Sequence, residues 1–240
     1  MTRRNDRRLA LLAGGGLALL FTMIAAVQVA AWSVGKVENS THRELAGSVD
    51  ELFIESQNGD VTVIRSADGK VRIDGRSKGT LHAPAPEIDV NGSRVHVAAN
   101  CPVWGFGECH AEITVQVPAE TSVNVKSASG DIAVDGITGD VAMESASGDV
   151  VARGLRSNMA MAKTASGDVD LRFATAPKAA EARTASGDAR ILVPPGTEAY
   201  NVSAETNSGD DDIGVRQDPD STRFLRVETS SGDAVVDYGG

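Results

Sequence analysis

Aromatic side chains are scarce in this chain: two Trp, two Tyr and five Phe, 4 % of 240 residues. A core filled by Val, Ile, Ala, Leu and Met instead must be narrow, because small side chains cannot pack a wide interior. Helical apolar spacing is missing as well. Outside the N-terminal segment no stretch of ten residues shows it, which excludes helical fold classes. Catalytic patterns are absent in turn. There is no His-Glu-x-x-His, no His-x-x-x-His pair and no Gly-x-Ser-x-Gly elbow. The four histidines are His42, His82, His96 and His110; His42 lies in a polar stretch and His96 at an alternating strand position, both ordinary structural places. No catalytic residue and no cofactor-binding residue is assigned. Basic charge is also short, and the chain carries a net charge of −10. Residues 1–32 hold Arg3, Arg4, Arg7 and Arg8 against Asp6, a net +3 that leaves −13 for the remainder. A field of that sign repels nucleic acid and anionic headgroups, and leaves cations or basic surfaces as partners.

One long apolar run is present. Residues 9–31 carry no charge, and as a helix they would be about 34 Å long, enough to cross a hydrocarbon core of ~30 Å. The arginines before the run place its N-terminus inside. The reading is therefore a basic cytoplasmic tail at 1–8 and a signal-anchor transmembrane helix at 9–32. A cleaved signal peptide is the alternative, since Val29 and Ala31 are small residues spaced as a cleavage site needs. Either way residues 33–240 end outside the cytoplasm, in the single-pass case on the outer face of the cytoplasmic membrane.

Two cysteines fit that compartment. Cys101 and Cys109 bracket a short loop with two glycines, and in an oxidising environment a bridge is its natural state. So short a ring contributes roughly 2–3 kcal/mol by the loop-entropy account. A metal site built from both thiolates with His110 and His96 or His82 is the alternative, and it lacks a placed fourth ligand. Within the loop, Trp104 and Phe106 are candidate recognition residues.

Residues 33–48 read as a polar tether. From 49 to 127 apolar residues alternate with period two, as in Val61-Thr62-Val63, Val95-His96-Val97 and Ile113-Thr114-Val115, with Asn58-Gly59-Asp60, Asp68-Gly69 and Asn91-Gly92 as turns between them. Over 128–240 a repeat takes over. Ser-Gly-Asp occurs at 129–131, 147–149, 166–168, 186–188, 208–210 and 231–233, with glycines 18 to 23 residues apart. Three residues before each glycine stands a hydroxyl: Ser127, Ser145, Thr164, Thr184, Thr206 or Thr229. After each Asp the alternation resumes, which assigns Ile132, Val134, Val150, Ala152, Val169, Leu171, Phe173, Ile191, Val193, Ile213, Val215, Ala234 and Val236 inward. The fold class is all-β. A β-solenoid of two-strand coils explains the drift in unit length better than a meander, because extra residues can loop from one corner without breaking strand pairing.

Stacked aspartates repel, so each Ser-Gly-Asp turn needs compensation. Carboxylates that accept backbone N–H groups across the turn supply it; a column of calcium ions is the alternative, although the Gly-Gly-x-Gly-x-Asp nonapeptide of calcium β-rolls is missing. Asp210, Asp211 and Asp212 form the best single place for a cation. The turn therefore reads as architecture. Recognition is expected where the repeat breaks, at the Cys101–Cys109 loop and at 194–200 and 216–224.

Strands ending in Val117-Pro118 and Val193-Pro194, followed by Ser/Thr-x-Ser-Gly-Asp repeats, resemble the bacterial "putative adhesin" family of β-strand-repeat domains, related to autotransporter-adhesin head domains. The resemblance covers residues 49–238 and implies an exported β-solenoid-like domain, often behind one membrane helix, with no catalytic residues. The second Val-Pro-x-x-Thr segment, at 193–197, matches the first at 117–121 and suggests that the solenoid restarts there. The function expected is a non-enzymatic binding or scaffold module of the cell envelope, contacting an envelope protein or polysaccharide. The alternatives are a carbohydrate-active enzyme on a solenoid groove, which calls for an acidic pair beside an aromatic, and an accessory to envelope stress sensing.

Overall fold

In the computed structural model, residues 36–80, 83–100 and 109–239 are described. Nineteen strands occupy them: β1 (Lys36–Leu45), β2 (Glu51–Ser56), β3 (Val61–Arg65), β4 (Val71–Thr80), β5 (Glu87–Asn91), β6 (Arg94–Ala99), β7 (Cys109–Val117), β8 (Ser122–Ser127), β9 (Ile132–Asp135), β10 (Val141–Ser147), β11 (Val150–Leu155), β12 (Met159–Ser166), β13 (Val169–Phe173), β14 (Ala179–Ser186), β15 (Ala189–Val193), β16 (Asn201–Thr206), β17 (Asp211–Ile213), β18 (Phe224–Thr229) and β19 (Ala234–Tyr238). They form two sheets. Sheet A has the order β1-β4-β7-β3-β9-β11-β13-β15-β19-β17, and sheet B the order β16-β18-β14-β12-β10-β8-β2-β6-β5. Each coil contributes one strand to sheet B and the next to sheet A, and in the coils β2–β3, β8–β9 and those that follow the chain turns between them at a glycine corner. Neighbouring coils pair in parallel, for example Val141 with Ala160 and Val150 with Val169. This is the solenoid arrangement; a meander would pair its strands antiparallel.

Inward positions stack into columns. Val61, Ile132, Val150, Val169, Ala189 and Ala234 form one in sheet A, and Val63, Val134, Ala152, Leu171, Ile191 and Val236 form the next, none more than 2 % exposed. Burying each larger aliphatic side chain contributes about 1.5–3 kcal/mol. The assigned inward residues are all buried except Ile213, which is half-buried because β17 is the last strand of its sheet.

The corner works between coils. Each Gly N–H donates to the Ser carbonyl of the next coil, as from Gly130 to Ser147 and from Gly148 to Ser166, both at 2.9 Å. Each Asp N–H donates in the opposite direction, to the carboxylate of the coil before it. The chain of bonds runs Asp60, Asp131, Asp149, Asp168, Asp188, Asp233, Asp210, at 2.8–3.0 Å throughout. The carboxylates thus accept N–H groups as expected, but from the adjacent coil rather than across their own turn. Glycine is required by both shape and space: Gly167 has φ +125°, and a Cβ there would lie 2.3 Å from the Gly148 carbonyl oxygen. The hydroxyl three residues earlier closes the corner from inside. Thr164 Oγ1 donates to Gly148 O at 3.0 Å and Thr184 Oγ1 to Gly167 O at 2.8 Å. Ser127 holds the same place, buried but with its Oγ unpartnered.

The structure changes three sequence expectations. Residues 36–45 are not a tether but β1, an edge strand paired antiparallel with β4 and fixed by exposed ion pairs such as His42–Asp74 and Lys70–Glu44, both 2.6 Å. Its polar alternation reads as linker because neither face is deeply buried. The division at 127/128 falls inside one coil: β8 pairs with β2 on one side and β10 on the other, and Asn58-Gly59-Asp60 supplies a further corner of the same column. Finally, coils do not stack in chain order. The coil β6–β7 lies outside β2–β3, and the last coil, β18–β19, lies between β14–β15 and β16–β17. Two of the out-of-order steps follow a Val-Pro: after Val117-Pro118 the chain skips one place to reach β8, and after Val193-Pro194 it skips one to reach β16; the step from β3 to β4, which skips the place of β7, does not. Pro lacks the N–H that would continue the ladder, which suits a strand that must leave its sheet.

The apolar run at 9–32 and the loop 101–108, with Cys101, Trp104 and Phe106, lie outside the described residues, as does His82. Among the described residues no helix is long and apolar enough to cross a membrane.

Candidate functional site

The corner fixes which side chains face out. Because Thr164 points inward, Ala162 and Ala160 do too, and the intervening Met161 and Met159 are turned to solvent. The same count in β14 buries Ala180 and Ala182 and leaves Ala179 half-buried on the outward side. Parallel register then lines up Met159, Ala179 and Phe224 on adjacent strands, with Ala142 and Met161 paired in the neighbouring column. These residues floor a groove of about 370 Å³ on the outer face of sheet B. Met159 is 53 % exposed, Met161 40 % and Phe224 38 %, three of the five most exposed large apolar side chains described.

Charge at the rim has one sign. Glu51, Asp140 and Glu181 line the groove together with Ser122 and Asn124, and among the described residues no basic one does. Each carboxylate has one engagement: Glu51 with Arg94 at 2.8 Å, Asp140 with the Met159 N–H at 3.2 Å, and Glu181 with Arg183. Farther along the same face a polar hollow of about 510 Å³ runs over Glu55, Lys126 and Glu144. Its charges alternate, and Lys126 pairs with Glu144 at 3.9 Å. Chemically the groove can hold an apolar group and attract a cation beside it.

The residues singled out from sequence are placed elsewhere. Cys109 opens β7, half-buried. His96 faces Glu55 at 3.3 Å, and His110 lies 4.0 Å from Asp60. Asp210, Asp211 and Asp212 stand at the last corner and on β17, and among the described residues no cluster of three His, Cys, Asp or Glu could hold a metal ion. The breaks at 194–200 and 216–224 mostly serve the out-of-order crossing, and Phe224, the last residue of the second, lies on the groove floor. Ser221 Oγ donates to Ala199 O at 2.7 Å, and Arg223 Nη1 donates to Pro177 O at 2.7 Å and to Ala176 O at 3.0 Å. Tyr200 fills the interior there with its hydroxyl unpartnered, and burial raises its pKa above the ordinary phenol value.

The Toastrack DUF4097 pattern matches residues 111–238, more than half of the chain. The chain belongs to the Toastrack DUF4097 family. Among solved structures, one described as a putative cell adhesion protein from Clostridium sporogenes is 14 % identical, with 85 % of this chain and all of that one covered and a TM-score of 0.51. Another, described as a putative adhesin from Bacteroides fragilis, is 13 % identical over 84 % of this chain and 97 % of that one, with a TM-score of 0.47. The first likeness establishes the shared fold. No curated protein matches the chain.

Proposed function

We propose that this Toastrack chain is a non-enzymatic binding module of the bacterial cell envelope, anchored by residues 9–32 in the cytoplasmic membrane and displayed outside it. The sheet B groove is its recognition site. The observation that carries this reading is the contiguous exposure of Met159, Met161 and Phe224 on a rigid ladder, inside a rim whose lining charges are all carboxylates. Exposed apolar patches rimmed by polar groups mark interaction sites, and Met suits a surface that adapts to its partner. The occupant that fits is an apolar side chain flanked by Lys or Arg on an envelope protein. The description of the C. sporogenes neighbour as a cell adhesion protein agrees in kind.

Methionine methyl groups report on this directly. With the full chain labelled at its five methionines, titration with a Lys-Leu-Lys-Leu-Lys peptide is expected to shift the Met159 and Met161 resonances and leave the buried Met143 unmoved. Equal shifts with Glu-Leu-Glu-Leu-Glu, or none at Met159 and Met161, would overturn the reading. A carbohydrate-active reading draws on the same groove, where Asp140 and Glu181 lie with Phe224. It predicts release of reducing sugar from envelope polysaccharide by the parent and not by Glu181→Gln.

A further inference from the structure

The two ends of the stack are finished differently. At one end the antiparallel strands β4 and β1 cover sheet A, and β5 covers sheet B. At the other end, β16 and β17 are simply the last strands of their sheets. Every earlier corner gives its Gly N–H to the next coil and its Asp carboxylate to the next Asp N–H. At Gly209 and Asp210 no further coil follows among the described residues. The inward residues of this coil, Val202, Ala204 and Ile213, pack on the core yet stay half-exposed. This end therefore repeats the backbone pattern on which every internal coil is stacked, with apolar side chains still to bury.

One residue breaks that pattern. Asp211 pairs with Ala234 and so stands at the end of the column Ile132, Val150, Val169, Ala189, Ala234, every member of which is apolar and buried. Asp212 pairs with Val235, on the outward side of the same strand. Stacking anything dry on this end would bury the Asp211 carboxylate with no cation opposite it. The other end of sheet A follows the same rule. Arg43 of β1 pairs with Ile73 and ends the column Ile73, Val115, Val63, and its Nη1 donates to Ile88 O at 3.2 Å. Inward-pointing charge is one of the ways in which open sheet edges are kept from pairing.

We infer that the C-terminal end of the stack is a latent stacking surface for a second copy of this chain, held shut by the inward-facing Asp211. Two copies meeting end to end would present the same patch to each other, as a two-fold contact requires, and both Asp211 carboxylates would be buried in the contact. Asp210–Asp212 thus end the solenoid.

The test is the oligomeric state of the full chain in non-ionic detergent, by size-exclusion chromatography with light scattering. The parent is expected to be monomeric, Asp211→Val to form a concentration-dependent dimer, and Asp212→Val, the same charge change one residue away on the outward side, to stay monomeric. Asp211→Ala, which adds less apolar surface, is expected to dimerise more weakly than Asp211→Val. A monomeric Asp211→Val that retains the parent's circular dichroism would overturn the inference. So would a dimeric parent, or association of Asp212→Val to the same extent.

Discussion

Replacing Asp149 separates the two things a carboxylate does in the corner column. Its Oδ1 accepts the Asp168 N–H at 2.9 Å, while its own N–H is held by Asp131 at 2.8 Å. Losing that acceptor costs about 1.5–3 kcal/mol, the range for a hydrogen bond to a charged group. Losing the charge offsets part of this. Adjacent strands put neighbouring carboxylates about 5 Å apart, and two such contacts repel by roughly 1 kcal/mol each in water. At about 0.15 M salt the Debye length is ~8 Å and the repulsion falls by roughly half. Asp149→Ala is therefore expected to cost about 0.5–2 kcal/mol at ~0.15 M salt and about 0–1 kcal/mol at ~0.01 M. Asp149→Asn keeps an acceptor oxygen and removes the repulsion, so it stays within about 0.5 kcal/mol of the parent in both. Urea unfolding followed by circular dichroism measures all three. If Asn destabilises as much as Ala, or if the cost of Ala ignores salt, carboxylate acceptance does not hold the corner.

Three further outcomes follow from the same architecture. Gly167→Ala forces a side chain into φ +125° and against the Gly148 carbonyl; the backbone strain alone is about 1–3 kcal/mol and the clash adds to it, so thermal melting should show a large loss. Thr184→Ala removes the bond to Gly167 O and is expected to cost about 1 kcal/mol, whereas Ser127→Ala, deleting a buried hydroxyl with no partner, costs nothing or stabilises. Asp68 is held well below the usual carboxylate pKa, first by the Arg72 guanidinium and then by Ser66 and the Lys70 N–H. Its folded pKa is depressed, so its contribution is present above the unfolded value of about 3.9 and is lost as pH falls below it. The melting-temperature gap between the parent and Asp68→Asn should accordingly narrow between about pH 5 and pH 2.

Much of the fold was legible because the repeat supplies its own register. Ser-Gly-Asp marks the corner, the alternation after it marks the core, and twelve of the thirteen residues assigned inward are buried. Chain order concealed the rest. Strand pattern specifies which face is buried but not which neighbour a coil meets, so insertion of β18–β19 beneath β16–β17 had only the two Val-Pro segments as its signal. The groove was missed for a different reason. Met159-Ala160-Met161-Ala162 is apolar on both faces, and hydrophobicity alone assigns the larger residue inward. Counting back from the buried Thr164 reverses that assignment, and the count was available in the sequence. Phe224 could not be joined to them without knowing that β18 lies beside β14.

On the proposed function, the Ser-Gly-Asp column is architecture and the sheet B face recognises a partner. Site-specific photocrosslinking in intact cells tests it most directly, with the crosslinker placed at position 161 in the groove or at position 131 in the exposed Asp column. A discrete protein adduct is expected from position 161, abolished by Phe224→Glu, and none from position 131. An adduct from position 131 with none from position 161 would contradict it.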